Sequence, residues 1–499
     1  MSADTASGIH GGLRRGVLGS ADAVAQSLAL LALAFGVAAA PAGVAASAGL
    51  ATPWAYLIAG AGSLCLASVI VRFTRRIAHA GGLYAYTVRG LGPQAGFIGG
   101  WLYAIAYAVG ISFVLIISSD FLATVLDTNT SVHLSWFTWY VVLLAVILVL
   151  AMVDIRVSTR VQLVFAVIGV AAIVALCVAI LAHGGASGVS AQPLNPSNAI
   201  SIHGLFLGGV LAFTGFIGFE AAAVLGEEAA KPLRVIPRAI LGTVIVATVY
   251  YVFVTWAMAI GFGAHHIGQW ASDATALSTL SDRYVNHGFA TFLDIVVMVD
   301  AFVASLAGVQ LTARTLFALG RDRGIPTLFS LTTPRFKSPF VGISISVLLT
   351  LVLGATLGRH YGVFTYFAMM ATTGSLGILF VYVLVALSGM VYFWRLRSRE
   401  SHAYNVLLDL VFPLGAVAIC GYTIYSSITP APPAPISYSV WIALGWLVAG
   451  LVVVGVLLAT RPEAVKKFGR AFVSGQGDDA ATPKGSATPP AATSPLVEA

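Results

Sequence analysis

Phe213-Thr214-Gly215-Phe216-Ile217-Gly218-Phe219-Glu220 lies inside a long apolar run and interrupts it: two glycines three residues apart lower helix propensity, and a carboxylate follows them. An ionisable group at mid-span costs roughly 2.5–3.5 kcal/mol on insertion scales, so Glu220 needs a reason to be there. A helix broken within a bilayer bares N–H and C=O groups that lipid cannot satisfy, and such a break is tolerated only where it faces protein or a cavity. The stretch therefore reads as a membrane helix opened halfway across beside a binding cavity.

The rest of the chain supplies the membrane. Its 499 residues are 59% hydrophobic and 9% charged, with a mean hydropathy of +0.93, which is more apolar surface than a soluble core of this length hides. Apolar runs long enough to cross a hydrocarbon core of about 30 Å recur over residues 21–44, 53–72, 95–120, 136–153, 159–182, 202–227, 238–262, 289–319, 340–357, 363–388, 408–427 and 437–460. The fold class expected is an all-α polytopic membrane protein of about twelve helices.

Basic residues test that topology, because Lys and Arg concentrate in cytoplasmic loops. With the N-terminus inside, all of the 26 Lys and Arg except Arg283 and Arg359 fall on the cytoplasmic side, which predicts an even number of spans and both termini cytoplasmic. Topology thus explains the net charge of +7, and no nucleic-acid partner is implied. Cys65, Cys177 and Cys420 lie within apolar spans without metal spacing and read as packing. No cofactor or metal is expected. Residues 1–20 form a short cytoplasmic tail without a cleavable signal, so the first helix is expected to act as an uncleaved insertion signal. The Ala-, Pro-, Ser- and Thr-rich end within 461–499 is expected to be a disordered cytoplasmic tail.

The first span carries a second interruption, from Phe35 to Gly43, where Pro41 removes a helical hydrogen bond and Gly36 and Gly43 weaken the helix. Breaks in the first and sixth spans occupy corresponding places if the first ten helices are two five-helix halves of inverted topology, at about 21–182 and 202–388, with peripheral helices at about 408–460. The bland alternative is that Pro and Gly merely kink or pack membrane helices.

The motifs extend the case. Phe213-x-Gly-Phe-x-Gly-Phe-Glu220, with Glu227-Glu228, Pro232 and Ile236-Pro237, resembles the sixth-helix signature of the amino acid-polyamine-organocation superfamily of permeases. Ala80-Gly-Gly-Leu-Tyr-Ala-Tyr86 is similar to that family's joint after the second helix, and the segment Ala313 to Pro326 to the cytoplasmic end of its eighth. The resemblance covers about residues 15–460 and implies two intertwined five-helix repeats, alternating access around a central site, and coupling to protons or sodium, or solute exchange. It implies a secondary transporter in the inner (plasma) membrane for an amino acid or related small amine, not an enzyme. The alternative is a different small solute or ion on the same fold.

Two departures stand out. Where many relatives carry Gly-x-Gly in the first break, with amides that hold a substrate carboxylate, the nearest stretch of this chain is Ala34-Phe35-Gly36 or Ala38-Ala39-Ala40-Pro41. Seven residues past Gln162, where several relatives place a lysine, it has Gly169.

The breaks nominate substrate contacts at Ala34, Phe35, Gly36, Val37 and Ala38, and at Phe213, Thr214, Gly215, Phe216, Gly218 and Phe219, with Tyr107 on the third span. Glu220, Asp300 and Ser305 are the coupling candidates. Glu220 is placed either to exchange a proton or meet a substrate amine, or to bond loosened backbone. Asp300 borders a stripe of small residues on the eighth span and reads either as a proton site or as a buried structural acid; Ser305 reads as a sodium ligand or as a packing hydroxyl. Asp294, about 240° away from Asp300 on the same helix, is expected to reach toward the outer surface. Glu227, Glu228 and Asp322 are expected to form loop or gate ion pairs.

Overall fold

The computed structural model describes residues 13–153, 155–273, 275–397, 404–429, 433–462 and 465; the expected tail segments 1–12 and 466–499 lie outside them. Among the described residues there is no strand, only two isolated bridges, Leu18 with Ala229 and Gly49 with Ala199. Ten helical stretches are long and apolar enough to cross a membrane, and two shorter apolar helices, Trp136–Met152 and Ile202–Thr214, fall where the fourth and sixth spans are expected. The protein is an all-helical polytopic membrane protein.

In chain order the first span is α1 (Ser20–Leu31), α2 (Leu33–Ala39) and α3 (Pro41–Ala48), followed by α4 (Thr52–Thr74), the short α5 (Leu83–Leu91) and α6 (Pro93–Asn129). Next come α7 (Trp136–Met152), α8 (Ile155–Ala182), α9 (Ile202–Thr214) and α10 (Pro232–Phe262). The remainder is α11 (Ile267–Ser272), α12 (Ala276–Tyr284), α13 (His287–Arg321), α14 (Phe340–Leu353), α15 (Val363–Leu396), α16 (Phe412–Ile428) and α17 (Tyr438–Thr460). α6 runs along α13 and α15, α4 along α9 and α10, and α1 against α8, α10 and α13. Large apolar side chains such as Val149, Val167, Val249, Leu348, Trp441 and Val452 are exposed on the outside, as a lipid-facing surface requires.

The first span is broken, four residues earlier than Gly36. Ala32 takes a left-handed conformation (φ 49°, ψ 61°), which costs an alanine roughly 1–2 kcal/mol. Pro41 only starts α3, at the first helical position, where its missing N–H costs nothing. The Gly36 amide still bonds Ala32 O at 2.7 Å, and Ala40 N bonds Gly36 O at 3.2 Å. Hence the Phe35 to Gly43 stretch bends the chain without opening it.

The sixth span breaks where its glycines stand. α9 ends at Thr214, turns occupy 215–220, and one 3₁₀ turn (Ala221–Leu225) completes the span, leaving Glu227 and Glu228 in the connection beyond it. Gly218 has φ +112°, a conformation that strains any L side chain, and a Cβ there would come within 3.0 Å of Leu30. The two interruptions thus face each other, Gly218 against the last turn of α1.

Candidate functional site

Between the two breaks lies a cavity of about 320 Å³, walled by α1, α2, α6, α13, α15 and the end of α9. Of the residues nominated from the sequence, Phe35, Gly36, Tyr107, Thr214, Gly215 and Ser305 line it. Phe113, Phe367, Ala371, Gly374 and Ser375 line it as well; of these, the sequence offers Phe367 as an aromatic on the tenth span that could meet a substrate cation, and the others are not nominated. Phe367 stacks edge-on with Phe35 and with Phe113, at centroid distances of 6.1 and 5.6 Å. The signal that locates this wall is small-residue spacing: a Cβ on Gly374 would sit 3.2 Å from Ala106 O, so α15 and α6 approach closely there.

The other nominated residues stand behind the wall. Ala34, Val37, Phe213, Phe216, Gly218 and Phe219 are buried and Ala38 partly so, and none lines the cavity. Phe216 packs on Tyr251 and Phe219 on Tyr382, at 5.2 and 6.0 Å. Phe364, an aromatic on the same helix as Phe367, points outward and is 68% exposed.

Asp300 is buried beneath the first break. Its Oδ2 accepts from the backbone N–H of Ala34 at 2.9 Å and of Phe35 at 3.0 Å, the first free amides of α2. These two hydrogen bonds offset the left-handed Ala32. Gly169 of α8 adjoins this place, since a Cβ on it would meet the Ala34 Cβ at 3.3 Å. Ser305 Oγ donates to Ala301 O at 3.0 Å.

Glu220 is fully buried among three tyrosines. Tyr107 and Tyr103 of α6 donate to its Oε1 at 2.6 and 3.3 Å, and Tyr382 of α15 donates to its Oε2 at 2.6 Å. The Gly218 amide donates to the Tyr382 hydroxyl at 3.4 Å. Three hydroxyl donors on one carboxylate satisfy the acceptor capacity that burial would otherwise leave unmet.

Beyond Glu220, at the end expected to be cytoplasmic, charged side chains close the bundle. Arg321 grips Glu227 with two bonds of 2.8 and 2.7 Å, and Ala80 N donates to Glu227 at 2.9 Å. His79 lies against both Arg321 and Glu227. Buried Arg314 forks onto Glu228 at 2.6 and 3.2 Å, and Tyr84 of the Gly-Gly-Leu-Tyr joint donates to Asp322 at 2.9 Å. Burial pushes the His79 imidazole down to about 3 and lifts the Asp322 carboxyl to about 6. Burial raises Glu227 too, but the Arg321 guanidinium overrides it and holds that carboxyl at about 2. The main chain adds a strap: Val17 and Leu18 amides donate to Glu228 O, and Ala230 N donates to Leu18 O. Asp294 lies apart from all of this, half-buried and accepting from Ser278 at 2.6 Å.

A membrane-crossing bundle with two facing helix breaks around a cavity is the architecture of a transporter. The sequence pattern of the amino acid permease family matches residues 21–454, and the chain belongs to that family, within the amino acid-polyamine-organocation superfamily. The branched-chain amino acid permease of Bacillus subtilis (strain 168) is 24% identical, over 69% of this chain and 73% of its own. The methylthioribose transporter of the same organism is 22% identical over 81% and 86%, and the D-serine/D-alanine/glycine transporter of Escherichia coli (strain K12) 26% identical over 63% and 66%.

Proposed function

We propose that the protein is a secondary active transporter that carries an amino acid or related small amine across the plasma membrane by alternating access, with both termini cytoplasmic. The observation that supports it best is the cavity between the facing breaks, blocked toward the expected cytoplasmic end by the Glu220 tyrosine cluster and the Arg321–Glu227 group. Residues 21–182 and 202–388 act as two inverted halves, with the final two spans peripheral. Coupling runs through Glu220 or Asp300 as proton sites, or through sodium with Ser305 as a ligand, or the protein exchanges one solute for another. Relatives named for branched-chain amino acids and for D-serine, D-alanine and glycine favour this solute class.

A second reading, a different small solute on the same fold, is favoured by the methylthioribose transporter among the relatives. Reconstitution into proteoliposomes tests both. Saturable uptake of labelled amino acids or amines, driven by an imposed proton or sodium gradient or by solute preloaded inside, is the expected result. Flux that never saturates, for every solute offered, would rule out a carrier.

A further inference from the structure

Most of the polar groups around the cavity face it as acceptors, and that narrows the solute. Resting on the carrier reading above, we infer that the cargo is an organic amine without a carboxylate: an ammonium on an apolar or single-ring body.

No residue that lines the cavity carries a charge, so a carboxylate brought there finds no cationic side chain. Backbone amides at the two breaks are engaged too. The N–H groups of Ala34 and Phe35, which the first break would otherwise leave free, both go to Asp300 Oδ2. The next amide, Gly36, is bonded to Ala32 O, and across the cavity Gly215 N is bonded to Ala212 O and Ile217 N to Thr214 O. Three of the four wall hydroxyls point their protons away as well. Thr214 donates to Leu211 O at 2.6 Å, Ser305 to Ala301 O at 3.0 Å and Tyr107 to Glu220 at 2.6 Å, which leaves their lone pairs toward the cavity. Ser375 is the remaining wall hydroxyl.

What the wall provides instead suits a cation. α1 ends at Leu31, at the cavity; the positive end of α2, which starts at Leu33, is held by Asp300, so the carbonyl end of α1 is the part of this break left to face a cation. Phe35, Phe113, Phe367 and Tyr107 supply ring faces, which attract an ammonium and accommodate an apolar body. A buried carboxylate left unpaired costs its desolvation, whereas the matched amine loses nothing by lacking it. Asp300 is the specificity-determining residue, because its carboxyl already occupies the two amides a solute carboxylate would need.

The test compares solutes that differ only by the carboxylate, phenethylamine with phenylalanine and isoamylamine with leucine, as ligands in thermal-shift and uptake measurements on the full-length protein. Each amine is expected to act at a concentration at least about tenfold lower than its amino acid. Equal or tighter binding of the amino acid, or no binding of either amine, overturns the inference. Saturable amino acid uptake would then leave the carrier reading standing, while unsaturable flux for every solute would sink that reading instead. Asp300→Ala, which frees the two amides, should narrow the ratio within each pair, whereas Asp300→Asn, still an acceptor, should retain it. An unchanged ratio in a folded Ala variant overturns the role of Asp300; if that variant does not fold, the wild-type pairs decide.

Discussion

The Tyr107 hydroxyl donates to Glu220 at 2.6 Å while Tyr107 itself forms part of the cavity wall, so a carboxylate that never touches the cavity is joined to it through one phenol. A hydrogen bond to a charged group contributes about 1.5–3 kcal/mol. Tyr107→Phe and Glu220→Gln are therefore each expected to lower uptake by about tenfold or more while the protein still inserts and purifies normally. Uptake in proteoliposomes at equal protein content measures this, and unchanged rates for Glu220→Gln would remove it from the mechanism.

Asp300→Asn keeps an acceptor for the Ala34 and Phe35 amides but cannot release a proton. If Asp300 carries the coupling proton, this variant retains solute exchange and loses accumulation driven by a proton gradient. Uptake that keeps the wild-type dependence on pH would exclude Asp300 as the proton site.

Gly36→Ala places a Cβ 2.6 Å from the Tyr251 hydroxyl, which itself donates to Gly215 O at 3.0 Å. Overpacking of this kind typically costs about 1–3 kcal/mol. A lower melting temperature is expected for Gly36→Ala, and partial recovery on adding Tyr251→Phe, which removes the clashing oxygen. Scanning fluorimetry of the single and double variants tests the pair, and no recovery would show that the clash lies elsewhere.

The charged cluster at the expected cytoplasmic end should respond to pH in opposing ways. His79, held at about 3 against an ordinary 6.5, resists a proton in the closed form, so closure weakens as pH falls from about 6.5 toward 3. Asp322, lifted to about 6 from 3.8, takes a proton more readily when closed, so closure strengthens as pH falls from about 6 to 3.8. Glu227, at about 2 against 4.5, weakens closure only below about 4.5. The wild type is thus balanced between about pH 6 and 4.5 and opens below that. His79→Gln should close more tightly across that window and Asp322→Asn less tightly, each by up to about tenfold per pH unit. Labelling of a cysteine placed at buried Ala80, with Cys65, Cys177 and Cys420 replaced, reads the opening; the same pH profile in all three proteins would contradict the scheme.

The sixth-span break was legible in the sequence because its cause is local: the turn after α9 needs the positive φ that Gly218 supplies. The first break was expected within Phe35 to Gly43 and lies at Ala32, where the amides it frees are taken up by a carboxylate 266 residues away. A proline announces itself in the sequence, and a long-range acceptor does not. Glu220 was legible as a buried acid in need of partners, but Tyr103, Tyr107 and Tyr382 become its donors only through the packing of α6 and α15. Likewise Glu227 and Glu228 were expected in ion pairs, while the choice of Arg321 for one and Arg314 for the other follows from the register of α13.

The strap from Val17 and Leu18 to Glu228 and Ala230 stitches the lead-in of one interrupted rod to the exit of the other. On the proposed alternating-access reading, that joint would make the two move as a single leaf against the surrounding bundle. On that same reading, severing those few main-chain bonds would let the two flaps move out of step.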